Sequence, residues 1–245
     1  MDYFSFSQFR LYEECPRKYF FTYKLKKFEK KNLAMTFGSA IHKALEVYYN
    51  TGNQKLAEET FIQYFTDNSK DVALKRGESL EREGKIGVKM LNEYFKPDNK
   101  PYFNPSKVEY KFQTILKDPI THKEIGVPVK GVIDVITTDD FIVDRKTSAS
   151  MWTEEMIDKD LQKIFYALAF KSIFGREPKG FIYNFLIKRV GQPKFDNQSV
   201  EINTGQMVYC IDYVNHVVKR IKNEEFPKNI TKNCRYCPHR HVCLN

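Results

Sequence analysis

The chain contains neither a G-x-G-x-x-G run nor a Walker sequence. It therefore lacks the phosphate-cradling loops of a doubly wound dinucleotide fold or an attached ATP-driven motor. It also lacks long apolar runs. The longest, Ile164–Phe170 and Phe181–Ile187, fall far short of the roughly 20 residues a bilayer span requires. The opening Met1-Asp2-Tyr3-Phe4-Ser5 is acidic and polar where an export signal is basic and then apolar. No internal repeat or low-complexity tract interrupts the chain. These absences lead us to expect a cytoplasmic protein with reduced thiols, in which grouped cysteines bind metal more often than they form disulfides.

The 245 residues suit one large domain, and a hydrophobic content of 42% can supply its core. The net charge of +9 favours a polyanionic partner such as nucleic acid, although a solvated basic surface gives the same number. Twenty Phe and 15 Tyr could stack on bases, but core packing is their commoner use.

Periodicity divides the chain. Ser7–Cys15 reads as a short helix capped by Ser5 or Ser7 and interrupted by Pro16. Helices are expected over Gly38–Tyr49, Gln54–Asn68 and Glu78–Phe95, ending at the Pro-rich Lys96–Pro105 stretch. Strands follow over Ser106–Leu116, Val127–Thr137 and Phe141–Lys146, the last two joined by a tight turn at Thr138-Asp139-Asp140. One long amphipathic helix is expected over Thr153–Phe174 and stopped by Gly175. Lys179–Arg189 reads as an apolar strand, Ser199–Ile202 as a short one, and Gly205–Asn223 as a last helix. The expected fold class is α/β: a mixed β-sheet core flanked by helices, with a helical amino-terminal portion and a cysteine-rich tail.

Asp134 lies in the apolar run Val132-Ile133-Asp134-Val135-Ile136 and must face a polar site, because burying an unpaired carboxylate is costly. Asp144 and Lys146 project from one strand face, with Arg145 turned away. The hairpin can bring Asp134 towards Asp144. Two converging carboxylates repel unless a cation lies between them, and oxygen ligands select Mg²⁺ or Mn²⁺. Lys146 would orient a water at that ion. An exposed Asp–Lys pair worth little is the blander account of the triplet. His42 sits on a helix, where an isolated imidazole packs more often than it coordinates. Glu46, one turn on, is second to it or merely solvated. Gln162 and Tyr166 share a helix face and could hold a phosphate or a base.

Taken in order, G-x3-H (Gly38…His42), G-x2-D (Gly131…Asp134), D-x-K (Asp144…Lys146) and Q-x3-Y (Gln162…Tyr166) resemble the RecB-type branch of the PD-(D/E)xK nucleases. The segment SFSQFRLYEECPRKYFFTY (residues 5–23) is similar to the amino-terminal cysteine motif of its iron–sulfur members, among them the AddB nuclease domain and the CRISPR adaptation nucleases. The resemblance implies a restriction-endonuclease-like fold and a metal-dependent DNase, acting as an exonuclease on single-stranded DNA. It implies that His42, Asp134, Asp144 and the Arg145 backbone carbonyl ligate Mg²⁺ or Mn²⁺. Lys146 would position the attacking water, and Gln162 and Tyr166 would hold the DNA. It admits a helicase or integrase-type protein partner. A non-catalytic DNA-binding or assembly subunit of the same fold is the alternative.

Cys15 and the C-x2-C-x5-C of Cys234, Cys237 and Cys243 supply four soft ligands, enough for an iron–sulfur cluster or zinc. His239 and His241 would let zinc close on the tail alone, but that leaves Cys15 without a role. The matched layout favours a [4Fe–4S] cluster, with zinc as the rival. Residues 1–37 and 225–245 would then form a clamp around a helical portion (38–105) and a nuclease core (106–224). Joining such distant points restricts the unfolded chain strongly. Arg17, Lys18, Arg235 and Arg240 could add phosphate-binding charge to the clamp or simply be solvated. Cys210, apart from the set on a helix-like stretch, reads as a buried structural thiol.

Overall fold

The computed structural model describes residues 2–28, 32–72 and 74–244. The elements run β1 (Phe4–Ser5), α1 (Phe6–Glu14), α2 (Pro16–Tyr19), α3 (Leu33–Thr51), α4 (Gln54–Asn68), α5 (Leu80–Tyr94), β2 (Pro105–Thr114), β3 (Val129–Thr137), β4 (Phe141–Ser148), α6 (Glu154–Lys159), α7 (Gln162–Phe174), β5 (Gly180–Ile187), β6 (Lys194–Val200), α8 (Thr204–Lys222) and α9 (Arg240–Cys243). Local chemistry sets most of the ends. Ser5 and Gln8 form a reciprocal capping box at α1. Cys15 is extended, and Pro16 opens α2, where its missing N–H costs nothing. α2 continues into a π-helical turn over Phe20–Lys24. Asn32, Asn53 and Ser79 cap α3, α4 and α5. Gly52 and Gly175 end α3 and α7 at φ 70°, a conformation L side chains resist.

The mixed sheet has the order β1-β3-β4-β5-β6, with β2 also paired to β3. β2 is antiparallel to β3 along its length, from Thr114↔Val129 to Pro105↔Thr137. That occupies one edge of β3, so β1 and β4 share the other, at opposite ends. β1 pairs in parallel at Val129–Lys130 and β4 antiparallel at Val135↔Val143 and Ile136↔Ile142. The β3–β4 ladder stops there, and beyond it the strands part at Asp134 and Asp144. β4 then runs parallel to β5 over eight pairs, and β5 antiparallel to β6. This is the mixed sheet of the restriction-endonuclease-like fold.

One core cluster joins the sheet to α1, α7 and α8, with Ile133, Phe165, Phe185 and Val214 fully buried. A second packs α3, α4 and α5 around Phe37, Phe61 and Leu91, and meets the sheet at Leu186. Cys210 is fully buried on α8, and burial raises its thiol to about 12, as suits a structural residue. No helix among the described residues is long and apolar enough to cross a membrane.

Two expectations need correction, and one element was not expected. The helix over Thr153–Phe174 is two helices, α6 and α7, broken at Asp160-Leu161. The Asp160 carboxylate accepts the Gln162 backbone N–H, which competes with a continuous helix. β6 spans Lys194–Val200 rather than Ser199–Ile202 because it pairs with β5 along all of Phe181–Ile187. β1, two residues long, was too short to show alternation.

Candidate functional site

The site forms where β3 and β4 separate. In place of the next ladder bond, the Asp134 carboxylate accepts the Arg145 backbone N–H, with Oδ2 at 2.6 Å. This turns the Asp134 side chain into the gap between the strands. α3 crosses the same gap with His42. Its Nε2 lies 3.2 Å from the Arg145 carbonyl oxygen, and its Nδ1 lies 3.5 Å from Asp134 Oδ1. Gly131 makes room for the ring of its β2 pairing partner Phe112, since a Cβ there would stand 2.6 Å from that ring. Gly38 has no such steric duty: the nearest atom to an added Cβ is Thr147 Cβ at 4.0 Å.

Glu109 of β2 joins this group, and the motif reading had not singled it out. The β2–β3 register (Val108↔Val135, Tyr110↔Ile133) sets it across from Asp134. Its φ is 48°, in the left-handed region uncommon for a non-glycine residue. Glu109 Oε1 lies 3.7 Å from His42 Nδ1 and 3.8 Å from Arg145 Nη1. Ligand atoms of His42, Glu109 and Asp134 all lie within 4.8 Å of one another. That is close to the roughly 3–4 Å between ligands of an octahedral ion with bonds near 2.1 Å. Two carboxylates and an imidazole fit a divalent cation, and the nitrogen donor suits Mn²⁺ better than Mg²⁺. The sequence signal for Glu109 was slight: one carboxylate in an aromatic strand.

Asp144 and Lys146 face the same way from β4, as alternation requires. Lys146 Nζ lies 2.7 Å from Asp144 Oδ2. Gln162, the first residue of α7, bridges the two: its Nε2 donates to Asp144 Oδ1 at 2.9 Å, and its Oε1 accepts from Lys146 Nζ at 2.8 Å. The Lys146 ammonium also sits 5.1 Å from the ring centre of Trp152, the chain's one tryptophan. Tyr166, one turn after Gln162, is half-buried with its ring edge-on to Phe112 at 6.0 Å. Arg145 points away: its side chain is 0% exposed and lies over the Tyr49 ring at 4.9 Å. Glu46 pairs with Lys43 at 2.6 Å, the solvated alternative for that residue.

These contacts shift the titrations. Burial alone raises the Asp144 carboxyl, and the neighbouring Asp134 charge adds to it; Lys146 pulls the other way, and the balance lies at about 7. Burial opposes the His42 imidazolium, but the Asp134 and Glu109 carboxylates outweigh it and hold the ring up at about 10. Burial likewise opposes ionisation of Asp134, yet His42 and then Arg145 keep it below the usual carboxylate range. A shared site of opposite and like charges, pushing its members apart, is what acid–base and metal chemistry needs.

Away from this centre, Cys15, Cys234, Cys237 and Cys243 line one small cavity, so the two ends of the chain do meet. Asn229 ties them together, its side-chain N–H donating to the Glu14 carbonyl at 2.9 Å. The Thr231 backbone N–H donates to Cys234 Sγ at 3.4 Å. His239 is buried on the same cavity with its ring 5.1 Å from Phe21, whereas His241 is exposed. Arg17 lies over the Phe20 ring, Lys18 pairs with Glu14, and Arg235 lies over Tyr236.

A family model described as the PD-(D/E)XK nuclease superfamily matches residues 3–244. Among solved structures, a candidate exonuclease from Eubacterium rectale superposes with a TM-score of 0.65 at 17% identity, covering 97% of this chain and 88% of that one. The structure of SSO0001 aligns at 13% identity over 90% of either chain, with a TM-score of 0.35. No curated protein matches. With the family model covering nearly every residue and the sheet opening at Asp134 and Asp144, this chain belongs to the PD-(D/E)XK nuclease superfamily.

Proposed function

We propose that this protein is a metal-dependent deoxyribonuclease that hydrolyses phosphodiester bonds, acting as an exonuclease on single-stranded DNA in the cytoplasm. The observation that carries the reading is the meeting of His42, Glu109, Asp134, Asp144 and Lys146 at the parting of β3 and β4. Mg²⁺ or Mn²⁺ bound there supplies Lewis-acid stabilisation of the phosphate and a more acidic water. His42, Asp134, Asp144 and the Arg145 carbonyl would hold it, with Glu109 added from the geometry. Lys146, held between Asp144 and Gln162, orients the attacking water and offsets charge growing on the phosphate oxygens. Tyr166 stands one helical turn from Gln162, so the pair faces the substrate strand together. The exonuclease mode and the single-strand preference rest on the resemblance to the iron–sulfur branch of the family.

The four thiols fit a [4Fe–4S] cluster in number and in donor chemistry. In this reading Cys15, Cys234, Cys237 and Cys243 staple residues 1–37 to 225–245, and the cluster's contribution is structural. Zinc is the rival occupant, with His239 placed to replace one thiolate.

The test of activity is cleavage of end-labelled single- and double-stranded DNA in Mn²⁺, with and without EDTA. Asp144→Ala and Lys146→Ala should each abolish cleavage while DNA binding persists. Undiminished cleavage by both variants, or binding without cleavage by the native protein, would reject the assignment. For the staple, an anaerobic preparation should be brown, and Cys15→Ala should lose colour and stability together. A colourless, stable, zinc-loaded native protein would exclude the cluster. Cys210, buried and held in its thiol form, should resist alkylation in either case.

A further inference from the structure

Lys163 is a buried cation that the proposed chemistry does not use. Its side chain is almost fully enclosed, at 1% exposure. The ammonium donates to three backbone carbonyls: those of Ile157, of Asp158 at 3.0 Å and of Asp160 at 3.1 Å. These carbonyls lie at the end of α6 and in the turn after it; that of Ile157 also accepts the Asp160 backbone N–H at 3.2 Å. A buried ammonium is retained only where all its donors are satisfied, and three donors meet three acceptors here. The elbow is pinned from the sheet side too. The Tyr183 hydroxyl of β5 donates to Asp160 Oδ2 at 2.9 Å, and Asp160 Oδ1 accepts the Gln162 backbone N–H at 3.1 Å. The residue so held is Gln162, whose amide bridges Asp144 and Lys146.

We propose that Lys163 is a positioning residue: by tying the end of α6 to the α6–α7 elbow, it fixes the place from which Gln162 holds Asp144 and Lys146 in register. This builds on the nuclease reading above, in which that pair performs the chemistry. A glutamine on an untied helix end would sample other rotamers and lose one or both bonds. Charge-assisted bonds of this kind set the geometry of a reacting amine. Lys163 makes no bond to the pair itself and acts through Asp160 and Gln162; Tyr183 bonds Asp160 as well, and also lies opposite Asp144 in the β4–β5 register.

The experiment is a double-mutant cycle with two readouts. Lys163→Met keeps the aliphatic bulk and removes the donors; Gln162→Ala removes the bridge. In single-turnover cleavage, each should slow the rate by about tenfold, the scale of one good charge-assisted bond. The double variant should be no slower than Gln162→Ala alone, because the lysine has nothing left to position. A lysine that merely stabilises the fold would slow both backgrounds by the same factor, and that result overturns the proposal. The second readout does not need activity. Trp152 lies against Lys146, so its emission should change alike in Lys163→Met, in Gln162→Ala and in the double variant. Emission that moves in Gln162→Ala but stays native in Lys163→Met also overturns the proposal. A native protein that cleaves nothing would reject the nuclease reading and leave this emission comparison to decide the positioning role. If Lys163→Met does not fold, Tyr183→Phe takes its place. It removes the bond to Asp160 while keeping the ring, and the same non-additivity with Gln162→Ala is expected; additive losses refute it.

Discussion

The clearest test of the proposed metal centre is Glu109→Gln, which keeps the side chain's shape and removes its charge. Arg145 is the reason the effect should be large. Its guanidinium is 0% exposed, and Glu109, 3.8 Å away, is a counter-charge within ion-pair range. Unit charges at 4 Å interact by about 4 kcal/mol at an effective dielectric constant near 20. Breaking a buried pair by removing one partner costs about 3–5 kcal/mol, because the remaining charge stays uncompensated. Glu109 also faces His42 at 3.7 Å, so its loss leaves a second cation less well balanced. For a chain of this size, about 3 kcal/mol corresponds to a fall of roughly 6–12 °C in Tm. The same substitution takes a carboxylate from the cation site and should weaken Mn²⁺ binding by about tenfold or more. The two effects separate in the double variant Glu109→Gln/Arg145→Met. Stability should return, since neither charge is then left alone, while Mn²⁺ affinity should stay low. Urea denaturation and isothermal titration with Mn²⁺ read the two quantities independently. Native stability together with native Mn²⁺ affinity in Glu109→Gln would refute the reasoning, for Glu109 would then be neither counter-charge nor ligand.

Two further outcomes follow from single residues. Gly87 is where α5 meets α4: a Cβ there would stand 1.9 Å from Phe61 Cζ, and Phe61 is fully buried between Phe37 and Phe65. Gly87→Ala should therefore destabilise by about 1–3 kcal/mol from overpacking, only partly offset by about 1 kcal/mol of helix propensity. Gly84, with nothing within 4 Å of its added Cβ, should gain from the same change, and urea midpoints of opposite sign check the pair. Asp144 makes a pH prediction. Its carboxyl is raised by burial to about 7, above its unfolded value. The stabilisation it contributes is thus present in full at low pH and lost as pH rises through about 7. In EDTA, unfolding free energy should fall between pH 5 and 8, and saturating Mn²⁺, which competes with that proton, should flatten the trend. A trend of equal slope with and without Mn²⁺ would exclude Asp144 as a ligand.

How much of this site was legible in the sequence depends on what each residue's role requires. Asp144 and Lys146 were readable because their relation is local. Two positions on one strand share a face whatever the rest of the fold does, and their 2.7 Å contact follows. Asp134 was readable from energetic cost, a carboxylate in an apolar run. Gly175 marked the end of α7 because only a left-handed residue closes a helix in that way. Gly131 and His42 were legible only as members of an ordered set, since neither spacing alone says what lies across from it.

The unread parts share a different cause: they depend on contacts between elements that the local pattern does not specify. Glu109 became part of the site because β2 runs against β3 in a register that places it beside Asp134, and because its backbone takes φ 48°. No pattern within SKVEYKF specifies either condition. The break between α6 and α7 is similar. Hydrophobic spacing over Thr153–Phe174 is compatible with one helix, and the choice against it is made by three carbonyls, one buried lysine and a tyrosine two elements away. Periodicity reports which face of an element is buried; it is silent about polar groups that satisfy one another across elements. In this protein those groups are the ones that set the site, because the gap at β3 and β4 removes the backbone ladder that would otherwise hold Asp134, Asp144 and Lys146. Side chains replace it: Asp134 on the Arg145 N–H, Gln162 on Asp144 and Lys146, Glu109 between His42 and Arg145. The opening that, in the proposed function, admits a cation and a phosphate is also what makes the site dependent on residues that no motif names.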